Sequence, residues 1–289
     1  MLTSNPSPPA LEPKVYIIGA GSGDPELLTV KAQRLISQAD VVIFADSLVP
    51  PPIIALARDN AEKIRTANKT LEDIVPLMVE RVRSHQSVVR LHSGDPSLYS
   101  AIHEQMHLLA QESIPFEVIP GISAFQAAAA LLKTELTVPE LVQSIILTRV
   151  SGRTHVPEAE ELSSLAAHQA SLCLYLSARH IDDSQAKLLE YYSADTPVAV
   201  CFRVGWPDEK LWVVPLAEMA ALTHREELIR TTLYIVSPAL AHRPHPHEYT
   251  DHDPMDMSLS TDGKHYAEAR SRLYNPTHSH LFRAPSSIP

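Results

Sequence analysis

The segment VYIIGAGSGDPELLT, residues 15–29, decides the fold. Val15–Ile18 is a short run of β-branched and aromatic residues, the composition of a strand. Gly19, Gly21 and Gly23 follow in one turn. Pro25, with the acidic Asp24 and Glu26 beside it, then opens a helix expected over about Pro25–Gln38. Strand, glycine-rich turn and helix begin a parallel α/β unit. Such a turn lets a ligand approach the backbone and sets helix N–H groups near it. The chain holds only 8 glycines in 289 residues, so three in one loop is a placement rather than an average. The spacing is not the dinucleotide fingerprint: a third glycine is needed where Asp24 stands, and Gly23 comes one residue early. A ligand-lined loop and a purely structural tight turn both remain open.

The same alternation continues outward. Asp40–Phe44 reads as a second strand, with another near Lys63. A helix carrying Leu71, Ile74, Val75, Met78, Val79 and Val82 at helical spacing comes next, with Pro76 predicting a kink or break. Ser87–Leu91 is a strand, followed by a loop at Ser93–Pro96, a helix through about Gln111 and a strand at Phe116–Ile119. Strand alternating with helix predicts a largely parallel sheet covered on both faces. The second half starts with an alanine-rich helix. It contains strands near 144–147, 171–176, 198–202, 211–214 and 231–236, two of them joined as a hairpin around Trp206–Asp208, so its sheet is expected to be mixed. The reading is an arm over 1–13, an N-terminal α/β domain over 14–120, a C-terminal mixed α/β domain over 121–241 and a mostly irregular His/Pro-rich tail over 242–289. That tail holds seven of the 15 histidines.

Composition removes several function classes. At 45% hydrophobic and 20% charged, the chain is ordinary globular material. A formal charge of −10 argues against a dedicated nucleic-acid binder or a polybasic membrane-surface protein. The most apolar run, near Ala124–Leu132, is far too short to span a bilayer, and MLTSNPSPPALEPK has no signal-peptide core. Cys173 and Cys201 each lie in an apolar strand-like run and read as buried thiols in a reducing cytoplasm. His103 and His107 stand one helical turn apart, but no third ligand accompanies them, so no metal site is expected.

Two further turns repeat the logic of the first. HSGDPSLY, residues 92–99, follows a strand. Gly94 there permits close backbone approach, while Asp95 can accept from a ligand or cap the helix after Pro96. PGISA, residues 120–124, is again a small-residue turn between strand and helix. Each is weak alone, but three such turns in one half can line one crevice.

Taken in order, GAGSGDP, ADSLV, HSGDPSLY, PGISA, LTRVSGRTHVPE, YLS and WPDE resemble the tetrapyrrole (precorrin) methylase family over roughly residues 14–237. The resemblance implies two α/β domains with the cofactor cleft between them, S-adenosylmethionine as methyl donor, a tetrapyrrole substrate and a homodimer. ADSLV (45–49) and LTRVSGRTHVPE (147–158) resemble the branch acting at carbon 11 of precorrin-4, or its cobalt complex, in cobalamin biosynthesis. By motif, the family's cofactor contacts fall on Ser93, Gly94, Asp95, Leu98, Ser123, Ala124, Leu176, Val204, Thr231 and Thr232. Its substrate lies near Gly21 and Ser22, where many members carry proline in place of Ser22.

Methyl transfer from a sulfonium demands alignment more than a strong nucleophile, and no Ser–His–Asp or Cys–His pattern is evident. Asp46 is the candidate base and a further substrate contact, with a helix-capping or solvated role as the alternative. Arg149 and Arg153 flank Ser151–Gly152 and offer guanidinium forks to the substrate's carboxylates, against the plain reading of solvated loop charges. His92 and Trp206 are expected to serve packing.

Overall fold

The computed structural model describes residues 10–242 apart from Arg153, so the expected tail beyond His242 and most of the N-terminal arm lie outside the described residues. Residues 10–127 with 203–208 form one compact unit, and residues 128–202 with 209–242 form a second.

The first unit holds five parallel strands in the order β3-β2-β4-β1-β5: β1 Val15–Gly19, β2 Val41–Phe44, β3 Glu62–Arg65, β4 Val88–His92 and β5 Phe116–Ile119. Its helices are α1 Val30–Gln38, α2 Pro51–Ile54, α3 Leu71–Arg83 and α4 Ile102–Gln111. Helix α5, Ala124–Leu131, carries the chain into the second unit. Strand alternation divides the core in two. Tyr16, Ile18, Val42, Phe44, Val89 and Leu91 face Leu35 and Ile36 of α1 and Ile53 of α2. Val15, Ile17, Val41, Ile43 and Val88 face Ile74, Val75, Met78, Val79 and Val82 of α3 and Leu109 of α4.

Three helix expectations need correction. The helix expected from Pro25 is a 3-10 turn over Pro25–Leu27, capped by Asp24. Leu28 and Thr29 are extended, and α1 begins only at Val30, where Thr29 Oγ1 accepts the Ala32 N–H at 3.1 Å. Threonine at an N-cap outweighs the proline signal. The helix expected after Pro96 starts at Ile102, because Tyr99 and Ala101 adopt left-handed φ of 53° and 49°. Helix α3 runs through Pro76, which sits on its exposed side. Water can satisfy the carbonyl that proline leaves unpaired, while the opposite ridge stays buried.

The second unit holds β6 Ile145–Arg149, β7 Ser171–Tyr175, β8 Pro197–Phe202, β9 Lys210–Pro215 and β10 Thr232–Val236 in the order β6-β7-β10-β8-β9. Only β6 and β7 are parallel, and β8–β9 is the hairpin. Leu172, Leu174, Val198, Val200, Tyr234 and Val236 pack against α6 (Leu162–Ala166), α7 (Ile181–Leu189) and α8 (Met219–Arg225). Cys173 and Cys201 are buried and unbridged, and burial pushes the Cys173 thiol up to about 12.

Candidate active site

The three glycine turns leave the C-terminal ends of β1, β4 and β5, which are neighbours in the sheet. Parallel order therefore brings together loops about 75 and 100 residues apart in sequence, at the end of the sheet where α/β folds gather ligands. The turns touch through backbone. Gly21 N–H donates to Gly94 O at 3.2 Å, and Gly94 N–H donates to Gly21 O at 2.7 Å. A Cβ on Gly19 would stand 2.6 Å from Gly121 Cα, and one on Gly121 would stand 2.3 Å from Gly94 O. Gly21 and Gly94 also need φ near +70° (69° and 67°), which glycine adopts without cost. The glycines are thus required by one another, whatever ligand they meet.

Asp95 joins the second and third turns. One carboxylate oxygen accepts the Ser97 N–H at 2.8 Å and the Ser97 hydroxyl, and the other accepts the Gly121 N–H at 2.9 Å. Burial alone would raise its pKa, but the donors on Ser97 and Gly121 outweigh it and hold the group below the usual carboxylate range. No helix begins at Ser97, so Asp95 is a loop-to-loop tie and not a helix cap.

The first turn is fixed from its other side by residues 203–208. Gly23 lies where a Cβ would meet Trp206 Cδ1 at 2.6 Å, and Gly205, with φ +80°, packs on Asp24 and Ser22. The Arg203 guanidinium lies 4.6 Å from the Trp206 ring centroid and pairs with Asp208 at 2.6 Å. Ser22 is buried, and its hydroxyl has no partner among the described residues. Asp46, in the turn after β2, is exposed and makes no hydrogen bond or ion pair with the described residues, so it caps no helix there.

Around the first-unit turns, Ser93, Leu98 and Ala124 are half-buried, while Ser123 and Val204 are buried. In the second unit Leu176 is 67% exposed, Thr231 is half-buried and Thr232 buried. Thr232 pairs with Phe202, and Tyr234 with Leu174, which places Leu176 and Thr231 at one end of the sheet. Backbone conformation singles out the same segments. Among described non-glycine residues with positive φ, His85, Ser113, Lys133, Gln169 and Glu227 close helices, and Glu140 sits in a turn. The others, Tyr99, Ala101, Leu176, Arg203 and Thr231, follow no helix and fall on or beside the motif residues. Each such conformation costs roughly 1–3 kcal/mol, and for a β-branched threonine it is a genuine outlier; strain of this kind collects at binding sites.

Arg149 is spent locally. Its Nη1 donates to the carbonyls of Thr154 at 2.8 Å and Val150 at 3.3 Å, and its Nη2 to that of His155 at 3.4 Å. Ser151 Oγ donates to Glu161 and accepts the Val156 N–H, closing the same loop. Arg153 lies outside the described residues. The sequence reading missed Arg90, a buried charge in the strand run SVVRLH. The available signal was a guanidinium where strand alternation points inward.

Residues 14–220 match the family described as Tetrapyrrole (Corrin/Porphyrin) Methylases. The chain belongs to the tetrapyrrole methylase family. Among its relatives is the cobalt-precorrin-4 C(11)-methyltransferase of Priestia megaterium, 41% identical over 271 residues that cover 93% of this chain and 97% of the relative. The X-ray structure of a cobalt precorrin-4 methyltransferase of cobalamin biosynthesis superposes with a TM-score of 0.77 at 42% identity, covering 79% of this chain and 96% of that one. The uroporphyrin-III C-methyltransferase of Thermus thermophilus, solved in complex with S-adenosylhomocysteine, gives 0.67 at 28% identity over 78% and 98% of the two chains. In this tetrapyrrole methylase the three turns lie together at the C-terminal ends of β1, β4 and β5 of the first sheet.

Proposed function

We propose that this protein transfers a methyl group from S-adenosylmethionine to carbon 11 of precorrin-4, or of its cobalt complex, in cobalamin biosynthesis, and that it works as a cytoplasmic homodimer. The observation that carries the reaction is similarity to a carbon-11 methyltransferase along nearly the whole of both chains. Among the described residues no helix is long and apolar enough to cross a membrane.

When bound, the donor supplies an electrophilic methyl group on a sulfonium, so the chain needs no nucleophilic side chain of its own. The residues assigned to hold it are Ser93, Gly94, Asp95, Leu98, Ser123, Ala124 and Val204 of the first unit, with Leu176, Thr231 and Thr232 of the second. Their task is orientation, which can supply on the order of 7–11 kcal/mol when the reacting atoms are held in line. The glycine contacts and the Asp95 tie leave the turns of the first unit little freedom, which supports their use as a fixed support for the donor. Gly21, Ser22 and Asp46 are assigned to the tetrapyrrole. Ser22 offers a buried hydroxyl with an unused donor, and Asp46 offers a free carboxylate that can take or hold a proton of the ring. Arg149 shapes the loop that carries Arg153, the guanidinium assigned to a substrate carboxylate.

Incubation with precorrin-4 and donor labelled in its methyl carbon should place the new signal at carbon 11 by NMR; a methyl at any other carbon would overturn the assignment. Replacing Asp95 with alanine removes the acceptor from Gly121 N–H and from Ser97. It should weaken S-adenosylhomocysteine binding by roughly 1–3 kcal/mol in calorimetry. Unchanged affinity would mean that the tie between the turns does not shape the donor site.

A further inference from the structure

Strand β4 departs from its neighbours in its C-terminal half. Val88 belongs to the apolar layer under α3 and α4, and strand alternation puts Arg90 and His92 on that same face, in register with Ile17 and Gly19 of β1. Arg90 is 7% exposed and His92 8%. Arg90 Nη1 donates to Thr66 Oγ1 at 3.1 Å. Thr66, the first residue beyond β3, donates its own N–H to the carbonyl of Phe44, the last residue of β2, at 2.9 Å. Those two bonds carry the guanidinium to the rim where β2 and β3 end, two residues before Asp46.

The polar groups there are incomplete. Arg90 Nε and His92 Nε2 have no hydrogen-bond partner among the described residues. No carboxylate of the described residues acts on Arg90. Burial alone lowers it, to about 10, so it stays charged at neutral pH. Burial, with the charge of Arg90 adding to it, lowers His92 to about 3, so the imidazole is neutral and cannot be the missing counter-charge. A buried guanidinium held by one hydroxyl, with no carboxylate among the described residues paired to it, is costly unless an anion is supplied. The matching chemistry is a carboxylate, whose two oxygens fit the planar fork.

We propose that Arg90 receives a carboxylate of the tetrapyrrole, one of its acetate or propionate side chains, with Thr66 fixing the direction of the fork. This rests on the reading of the protein as a precorrin-4 methylase. The methyl donor also carries a carboxylate and is the competing source.

The test uses full-length Arg90→Met and Arg90→Lys. For Arg90→Met the KM for precorrin-4 should rise by about tenfold or more, with S-adenosylhomocysteine affinity within twofold of the wild type and kcat changed less than KM; Arg90→Lys should fall between. Unchanged KM in a folded Arg90→Met protein would sink the proposal. So would a loss of S-adenosylhomocysteine affinity at unchanged KM, which would move the guanidinium to the donor. Where Arg90→Met does not fold, sodium propionate decides. At the ionic strength of a sodium chloride control it should raise the melting temperature of the wild type and raise that of Arg90→Lys less; no rise in the wild type overturns the proposal. A wild type that leaves precorrin-4 untouched defeats the methylase reading instead, and the propionate arm still reports on Arg90.

Discussion

Gly121→Ala should lose at least ~3 kcal/mol of stability and, with it, S-adenosylhomocysteine binding. The new Cβ would lie 2.3 Å from Gly94 O and 2.8 Å from Gly19 Cα, both backbone atoms. Neither can yield, since Gly94 exchanges two hydrogen bonds with Gly21, and Gly19 is the last residue of β1, which is paired on both sides by β4 and β5. Overpacking ordinarily costs about 1–3 kcal/mol because side chains can rotate away. Here the clash moves whole turns, so the cost lies at the top of that range or above it. Gly152→Ala is the control. Among the described residues its Cβ would meet His180 Nε2, at 3.5 Å, an ordinary contact, and stability should stay within about 0.5 kcal/mol. Urea unfolding of both variants and calorimetry on Gly121→Ala check this. A Gly121→Ala protein as stable as the wild type would mean that the turns are not packed backbone to backbone.

Acid should destabilise the protein well above the carboxylate range, and His92 should carry much of the effect. Burial, helped by the Arg90 charge, lowers the His92 pKa from 6.5 to about 3. An unfolded chain binds a proton there as pH falls through about 6.5, and the folded chain does not until about 3. Between those values the unfolded state holds more protons, so stability rises with pH: it is complete above about 6.5 and declines below it. The slope is about 1.4 kcal/mol per pH unit, or roughly 2 kcal/mol between pH 6.5 and 5. His92→Gln, which cannot titrate, should flatten that part of the profile. Unfolding free energies at pH 7 and 5 for the two proteins measure the difference; parallel profiles would show that His92 already titrates normally in the fold.

Much of the architecture was legible because its signals are local. Val15–Ile18 and Val41–Phe44 are continuous apolar runs, as strands buried on both faces must be, and Val88–Leu91 departs from that only at Arg90. Trp206–Pro207–Asp208 lies between two such runs and joins them as a hairpin. Helix starts were less legible. Pro25 marked one turn too early because Thr29 is the true cap, and Pro96 marked a helix that left-handed Tyr99 and Ala101 postpone to Ile102. Those conformations depend on what surrounds the loop, and neither tyrosine nor alanine announces them.

Sequence alone determined the alternation of strand and helix, the position of each small-residue turn and, through the ordered motifs, the family. Tertiary structure alone decided that Gly19, Gly94 and Gly121 need one another, that Asp95 serves Gly121 rather than a helix, that Arg149 is occupied by its own loop, and that Arg90 pairs with no carboxylate among the described residues. The physical reason lies in the strand order β3-β2-β4-β1-β5. Periodicity and turn chemistry act over a few residues, whereas a parallel sheet makes neighbours of segments separated by whole crossovers. Which donor meets which acceptor is settled only when those strands come together.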